Sequence, residues 1–284
     1  MSIPSGASEA HDEPPLTADY LCALYERHAG DLRAVRDEQR AFHERHVPMR
    51  RSRALVYRLT GGLLDIGGMG MTHRFNARTG SAPIDPGLDD IEAEITYLRL
   101  RERQPRTVVE IGSSGGWSTT WILRALRDNG MGMLHSYDIV AYALGNVPAE
   151  LATGRWRFTA GDVRQADLPS SIDYLFMDCD HSQEFAEWYL RHLLPLLPPG
   201  TPLSIHDIFH PGYIWRVWDA TGNRMGEVSV VRKWLETSET SWFTPSPDWA
   251  PDAYRQLVRC RRQLGMHTQI HYGASNPMVF LTAP

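Results

Sequence analysis

The chain has 284 residues, 42% hydrophobic and 22% charged, enough to bury one large core or a core with a small appendage. Its net charge of −5 gives no global positive field for nucleic acid or an anionic membrane, and no apolar run approaches the roughly 18 to 20 residues of a membrane span. The N-terminus MSIPSGASEAHDEPP lacks a basic-then-apolar signal segment. The three cysteines, Cys22, Cys179 and Cys260, are too widely spaced for a disulfide framework or a CxxC knuckle, so a reducing cytoplasm is the expected location.

Residues 1–16 are rich in Pro, Ser, Gly and acids and read as a tail, because they cannot bury enough apolar surface to offset ordering entropy. From Thr17, the positions Leu21, Leu24, Tyr25, Leu32, Val35 and Phe42 share one helical face, predicting a helix to about His46, before Pro48. Such a face needs a partner, and a homo-oligomer is expected. The glycine pairs of 54–88 predict tight turns in a segment that could cover a site or join protomers. A second helix follows, capped by Asp89 or Asp90, with Ile91, Ile95 and Leu98 on one face and Pro105 just past its end.

After Arg106 short apolar runs alternate with helical stretches. The runs are 107–112, 133–140, 155–162, 172–178 and 202–207; the helices are 116–128, a short one near 147–152, and 182–196, with Phe185, Tyr189, His192 and Leu193 on one face. This alternation predicts a parallel sheet with helices on both sides. Residues 208–250 carry Trp215, Trp218, Trp234, Trp242 and Trp249 and read as an aromatic-rich insertion near the carboxyl ends of the strands, where open α/β sheets bind ligands. The tryptophans either wall an aromatic or sugar pocket or pack the insertion onto the sheet. At the end, HTQIHYG and MVFLT flank ASNP and predict a hairpin.

The strongest local signal is VVEIGSSGGWSTT, residues 108–120. An apolar strand ends near Glu110, Gly112, Gly115 and Gly116 allow a sharp turn, and a helix begins whose free N–H groups face any ligand there. The spacing fits neither G-x-G-x-x-G nor G-x-x-x-x-G-K-[ST]. Three more runs also end in acids, at Asp138, Asp162 and Asp178. One such acid reads equally well as a strand-end cap; four in step with a glycine loop point to a binding site.

On these residues, 89–284 resembles the class I S-adenosylmethionine-dependent methyltransferases. The resemblance implies an α/β fold, a Rossmann-like doubly wound seven-stranded sheet, mostly parallel with an antiparallel C-terminal hairpin strand. The chain would add an N-terminal helical extension, 17–88, to that domain. It also implies a cofactor site in which Glu110, Gly112, Ser113 and Gly115, with Ser118, hold the methionine part. Asp138 with Ile139 would take the ribose, Asp162 and Val163 the adenine, and Asp178 would stand beside them.

FMDCDHSQEF and LLPLLPPGTPLSIHD further resemble the metal-dependent small-molecule O-methyltransferases of natural-product pathways, whose pattern is D-x-x-H after the fourth strand and an acidic pair after the fifth. By position, Asp178 becomes a metal ligand, His181 the general base, and His206 with Asp207 the pair. A hard cation lowers a hydroxyl's pKa while a nearby imidazole takes its proton. The pair here reads His-Asp, which leaves three outcomes: a weaker Mg²⁺ or Mn²⁺ site, a site for a softer metal, or no metal, with His206 and His181 sharing acid–base work. Asp180 and His210 are near enough in sequence to substitute. Cys179, flanked by acids, reads as a buried strand-end thiol rather than a nucleophile.

The expected activity is methyl transfer from S-adenosylmethionine to a small-molecule hydroxyl. The rivals are a metal-free enzyme doing N-methylation, another alkyl transfer or a cyclisation, a catalytically silent cofactor-binding subunit and, more remotely, a nucleotide-sugar or NAD enzyme. A small-molecule substrate is expected, with no nucleic acid and no membrane as partner.

Overall fold

The computed structural model describes residues 14–46, 84, 86–209, 226–238, 240–271 and 275–284. The predicted tail up to Glu13, most of the glycine-rich 54–88 stretch, His210, Trp215 and Trp218 lie outside the described residues.

The N-terminal face is helical, but as two helices. Helix α1, Ala18–Arg27, starts where the Thr17 hydroxyl accepts from Tyr20 N at 3.1 Å, and α2 is Ala29–His46. His28, at φ −107° and ψ 15°, separates them, and Gly30, a poor helix former, follows at once. The break lets Leu21, Leu24, Tyr25, Leu32, Val35 and Phe42 all be fully buried in one core with Ile91, Ile95, Val108 and Trp121. Burial of each large apolar side chain is worth roughly 1.5–3 kcal/mol. The apolar face that suggested an oligomer is thus covered by the same chain, and the N-terminal helices are part of the main core rather than an appendage.

Charge fixes the same junction. The third helix, α3 (Asp90–Arg103), presents Glu94, fully buried, which accepts from Arg36 Nη1, from Tyr25 Oη at 2.7 Å, and from Arg261 Nε at 2.6 Å and Nη2 at 2.9 Å. A carboxylate so surrounded is compensated by both guanidiniums; removal of either partner would leave buried charge unpaired.

Five parallel strands follow the predicted runs: β1 Thr107–Ile111, β2 Met133–Asp138, β3 Trp156–Ala160, β4 Tyr174–Met177 and β5 Pro202–Ile205. Helix α4, Trp117–Asn129, joins the first two, and α5 (Tyr142–Asn146) and α6 (Ala149–Ala152) lie before β3. Helix α7, Gln183–Trp188, continues through a wide turn, Tyr189–Leu193, and a tight one, Leu194–Leu196, that contains Pro195. Phe185, Tyr189 and Leu193 are buried as predicted, whereas His192 is exposed, because the wider turn rotates it off that face.

The sheet has seven strands in the order β3-β2-β1-β4-β5-β7-β6, doubly wound about β1. Strand β7 (Val279–Thr282) is antiparallel to both neighbours, and β6 is only Trp242–Phe243. The predicted hairpin is corrected here: the arm pairing with MVFLT comes from the aromatic-rich segment, not from 267–273. Ile270 N and His271 N donate to Asp90 instead, at 2.9 and 3.1 Å, so that stretch cannot use them in a ladder. Buried Arg99 donates to Leu203 O and Leu281 O, both at 3.1 Å, joining β5 to β7. The segment after β5 also supplies α8, Gly226–Thr237, and α9, Pro251–Gln263, follows β6. Among the described residues no helix is long and apolar enough to cross a membrane.

Candidate active site

The parallel register aligns Ile111, Tyr137 and Met177 across β1, β2 and β4, so the loops that follow open side by side at the switch point of the sheet. Gly112, at φ +84°, turns the chain out of β1. A β-carbon there would lie 1.8 Å from Asp178 O, so only glycine fits. Residues Pro86, Gly87, Leu88, Gly112, Ser113, Ser114, Gly115, Trp117, Ser118 and Asp178 line a cleft of about 260 Å³. Trp117 donates from its indole to Leu88 O at 3.1 Å and stacks with Phe42 of α2, so both the residue-88 loop and the N-terminal helices shape the wall.

Glu110 lies beneath this loop, fully buried. It accepts from Ser118 Oγ at 2.7 Å, from Thr119 Oγ1 at 2.8 and 3.1 Å, and from Ser136 Oγ at 2.5 Å. Burial pushes its pKa up to about 7 against the lowering effect of those hydroxyls. The expectation that Glu110 touches a cofactor is therefore corrected: its oxygens are consumed inside the protein, where they tie β1 and β2 to the start of α4. Ser118 shares that bond while also lining the cleft.

Asp138 reaches the loop from β2. Its Oδ2 accepts from Ser113 N at 2.8 Å and Ser114 N at 2.6 Å, and its Oδ1 from Val140 N at 2.9 Å. Ile139 beside it is 80% exposed. Asp162 is forked by Arg164, whose Nη2 donates at 2.7 Å and Nε at 2.9 Å, which holds the carboxyl below its usual range. Val163 is buried next to it. An adenine amine would have to share Asp162 with, or displace, that guanidinium.

The opposite wall carries the second cluster. Asp178, which lines the cleft, lies with His181 and Asp207 so that one ligand atom from each falls within 4.8 Å of the others. Asp207 has φ +64°, a left-handed conformation that an aspartate tolerates better than most residues and that aims it back over the strand ends.

His181 is gripped from two sides: Nδ1 is 2.6 Å from Glu227 Oε2 and Nε2 is 3.2 Å from Asp207 Oδ2. Burial lowers its pKa, but the Glu227 hydrogen bond and the charges of Asp207, Glu227 and Asp178 outweigh it and push it up to about 9. Glu227 is 2% exposed and also accepts from Tyr189 Oη at 2.9 Å.

His206 stands behind the cluster. It is 3% exposed, its Nε2 lies 3.0 Å from Glu92 Oε1, and its Nδ1 lies 3.0 Å from Asp207 Oδ1 and 3.4 Å from Asp178 Oδ1. Burial works against its charge, yet Asp207, Asp178 and Glu92 hold its pKa well above the usual imidazole range. His206 lies outside the Asp178/His181/Asp207 group that the geometry brings together: its Nε2 is taken by Glu92, and its Nδ1 faces Asp207 and Asp178 from behind. The substitutes fare no better, since Asp180 is spent on Ser182, accepting from its N at 3.1 Å and its Oγ at 2.9 Å, and His210 lies outside the described residues. Cys179 is half-buried rather than buried as expected; desolvation and then Glu227 and Asp178 push its thiol up, which argues against a thiolate there.

The donor set left for a divalent cation is thus two carboxylates and one imidazole. It fits a cation, and the nitrogen ligand suits Mn²⁺, Fe²⁺ or Zn²⁺ better than Mg²⁺. Glu92 and Glu227, missed in the sequence, belong to this site through the histidines they hold. Glu92 carried a signal, as the third residue of a helix capped at Asp89, whose N donates to Glu92 Oε1 at 2.7 Å. Glu227 carried none.

Residues 109–208 match the family model described as "Methyltransferase domain". The matched stretch runs from β1 through Asp207. No curated protein matches the chain. Among solved structures, the domain is similar to the Streptomyces achromogenes O-methyltransferase TomG, involved in tomaymycin synthesis and solved with SAM (17% identity, 70% of this chain and 82% of that chain, TM-score 0.48). It is also similar to an O-methyltransferase from Bacillus cereus in complex with SAH (17%, 71% and 84%, TM-score 0.47). A third is the SAH-bound Podospora anserina methyltransferase PaMTH1 (12%, 86% and 94%, TM-score 0.43).

Proposed function

We propose that the protein transfers the methyl group of S-adenosylmethionine to a hydroxyl of a small molecule. The observation that carries this is the position of Asp178, which lines the glycine-loop cleft and also belongs to the Asp178/His181/Asp207 trio, so donor and acceptor sites meet at one carboxylate. The cleft floor offers glycine backbone, serines and acids, an environment that tolerates a sulfonium. The trio faces it with groups that can orient a hydroxyl and accept its proton.

The division of labour follows from the geometry. Glu110 and Asp138 hold the loop in shape, and Trp117 with Leu88 closes its far wall. The acceptor hydroxyl would enter between Asp178 and Asp207, with His181 Nε2 as the base once the ring, held at a pKa of about 9, has given up its charge. Transfer would therefore rise toward alkaline pH; it also needs the oxygen in line behind the methyl, chiefly a matter of positioning. A divalent cation at Asp178 and Asp207, when bound, would lower the hydroxyl's pKa and fix its position.

A second reading is favoured by the trio itself: His181 is a ligand and the cation-bound hydroxyl needs no protein base. The test is turnover of labelled S-adenosylmethionine with a panel of hydroxylated small molecules, with EDTA and then with Mn²⁺, Fe²⁺, Zn²⁺ or Mg²⁺ restored, for the wild type and His181→Ala. Methyl transfer that falls at least a hundredfold in His181→Ala, with cation affinity unchanged, supports the base. Loss of cation affinity in the same variant supports the ligand. Failure to bind S-adenosylmethionine, or binding without transfer to any hydroxyl, overturns the proposed activity.

A further inference from the structure

We propose that Glu227, from the helix after the aromatic-rich segment, is a positioning residue that fixes the orientation and proton placement of His181; this rests on the methyltransferase reading above.

The geometry is unusually complete for one side chain. Glu227 Oε2 takes the Nδ1 side of the imidazole at 2.6 Å, Tyr189 Oη occupies its other oxygen at 2.9 Å, and Glu227 N donates to His181 O at 3.1 Å. Backbone and side chain of one residue therefore grip both ends of the other. Both ring nitrogens face a carboxylate, but Glu227 is the nearer, 2.6 Å from Nδ1 against 3.2 Å from Nε2 to Asp207, which favours the proton on Nδ1 in the neutral ring and leaves Nε2 turned toward the trio. Without Glu227, Asp207 at Nε2 would be the competing carboxylate and the preference for Nδ1 would weaken.

The helix that brings Glu227 is itself locked. A β-carbon on Gly226 would lie 2.4 Å from Gln183 Cβ and 2.5 Å from Gln183 N, so the start of α8 abuts the start of α7. Two turns on, Arg232 donates to Ile208 O from Nε at 3.0 Å and Nη2 at 2.7 Å, the residue after Asp207. Helix α8 thus braces the loop after β4 through Glu227 and the loop after β5 through Arg232. The residue lies outside 109–208, so the brace is a property of this chain's own later segment.

The experiment compares Glu227→Gln and Glu227→Ala with the wild type. Retained thermal unfolding and S-adenosylmethionine affinity confirm that the variants are folded. Glu227→Ala is expected to lower kcat about 10- to 100-fold, the usual effect of removing a carboxylate that orients an imidazole, with KM for the cofactor unchanged. Glu227→Gln keeps an acceptor oxygen at Nδ1 and should recover much of that loss. Alongside, ¹H–¹⁵N NMR of the His181 ring, assigned by its absence in His181→Ala and read at alkaline pH, should show Nδ1 protonated in the wild type and a mixture of tautomers in Glu227→Ala. The NMR result does not need turnover, so it stands or falls separately from the proposed activity. Unchanged ring protonation in Glu227→Ala, or full kcat in a folded Glu227→Ala, would overturn the role. A fall in kcat that glutamine does not relieve, accompanied by lost cofactor affinity, would also overturn it and make Glu227 merely structural.

Discussion

Asp178 and Gly112 touch through the backbone: the carbonyl of the first lies 1.8 Å from where the second would carry a β-carbon. The loop that shapes the donor side and the loop that begins the acceptor side are therefore packed carbonyl against α-carbon, and neither can shift without the other.

Gly112→Ala should accordingly fail twice. The position has φ +84°, strained for alanine by about 1 kcal/mol or more, and the added methyl must also displace Asp178. Thermal unfolding should fall by several degrees, and calorimetric titration should show S-adenosylmethionine affinity lost. Wild-type affinity in the variant would mean the two loops move independently.

Glu110 predicts a pH signature of stability. Its folded pKa is raised to about 7 from an ordinary value of 4.5, so the folded state holds a proton that the unfolded chain has released between those values. The contribution is complete below about pH 4.5 and is lost as pH rises through about 7. Glu110→Gln removes this titration. Urea unfolding of wild type and variant from pH 5 to 8 should show their difference shifting in the variant's favour toward the alkaline end; a constant difference would contradict the raised pKa.

His206 explains why an acid is absent where the related pattern has one. Glu92, fully buried at 3.0 Å from its Nε2, already supplies a negative charge, and a second carboxylate would face it without compensation. His206→Glu should therefore destabilise the protein by about 3 kcal/mol or more. Adding Glu92→Gln should restore much of that stability, an interaction visible in a double-mutant cycle of chemical unfolding. Additive effects would show that the two side chains do not communicate.

Cation binding should follow the trio rather than the sequence pattern. Mn²⁺ or Zn²⁺ titrated calorimetrically into the cofactor-free protein should bind, and Asp207→Asn should weaken that binding at least tenfold. A variant that leaves His206 as the ring but removes Glu92's charge, Glu92→Gln, should retain it. Equal affinity in Asp207→Asn would place the cation elsewhere.

Much of the frame was legible because it is local. Strands β1 to β5 announced themselves as short apolar runs, and the glycine loop and the acids after β2, β3 and β4 follow from chain order alone. What escaped depends on contacts remote in sequence. Glu227 meets His181 across a segment with no spacing rule, and Glu92 meets His206 from a helix that precedes the sheet. The last hairpin was misread because HTQIHYG has strand-like residues, yet Asp90 captures two of its amides, while the true partner, Trp242–Phe243, is too short to give a periodic signal. The single N-terminal helix became two because the apolar spacing continues smoothly across His28, where the backbone does not.

The way Asp138 is spent has a consequence for ligand choice. Loops of this shape in phosphate-binding proteins present bare amides to the anion, but here the amides of Ser113 and Ser114 already point at a carboxylate. A diphosphate approaching the turn would meet Asp138 instead of empty donors, with Asp178 close on the other side. A diphosphate there would face two carboxylates, a cost that a nucleoside without phosphate does not meet.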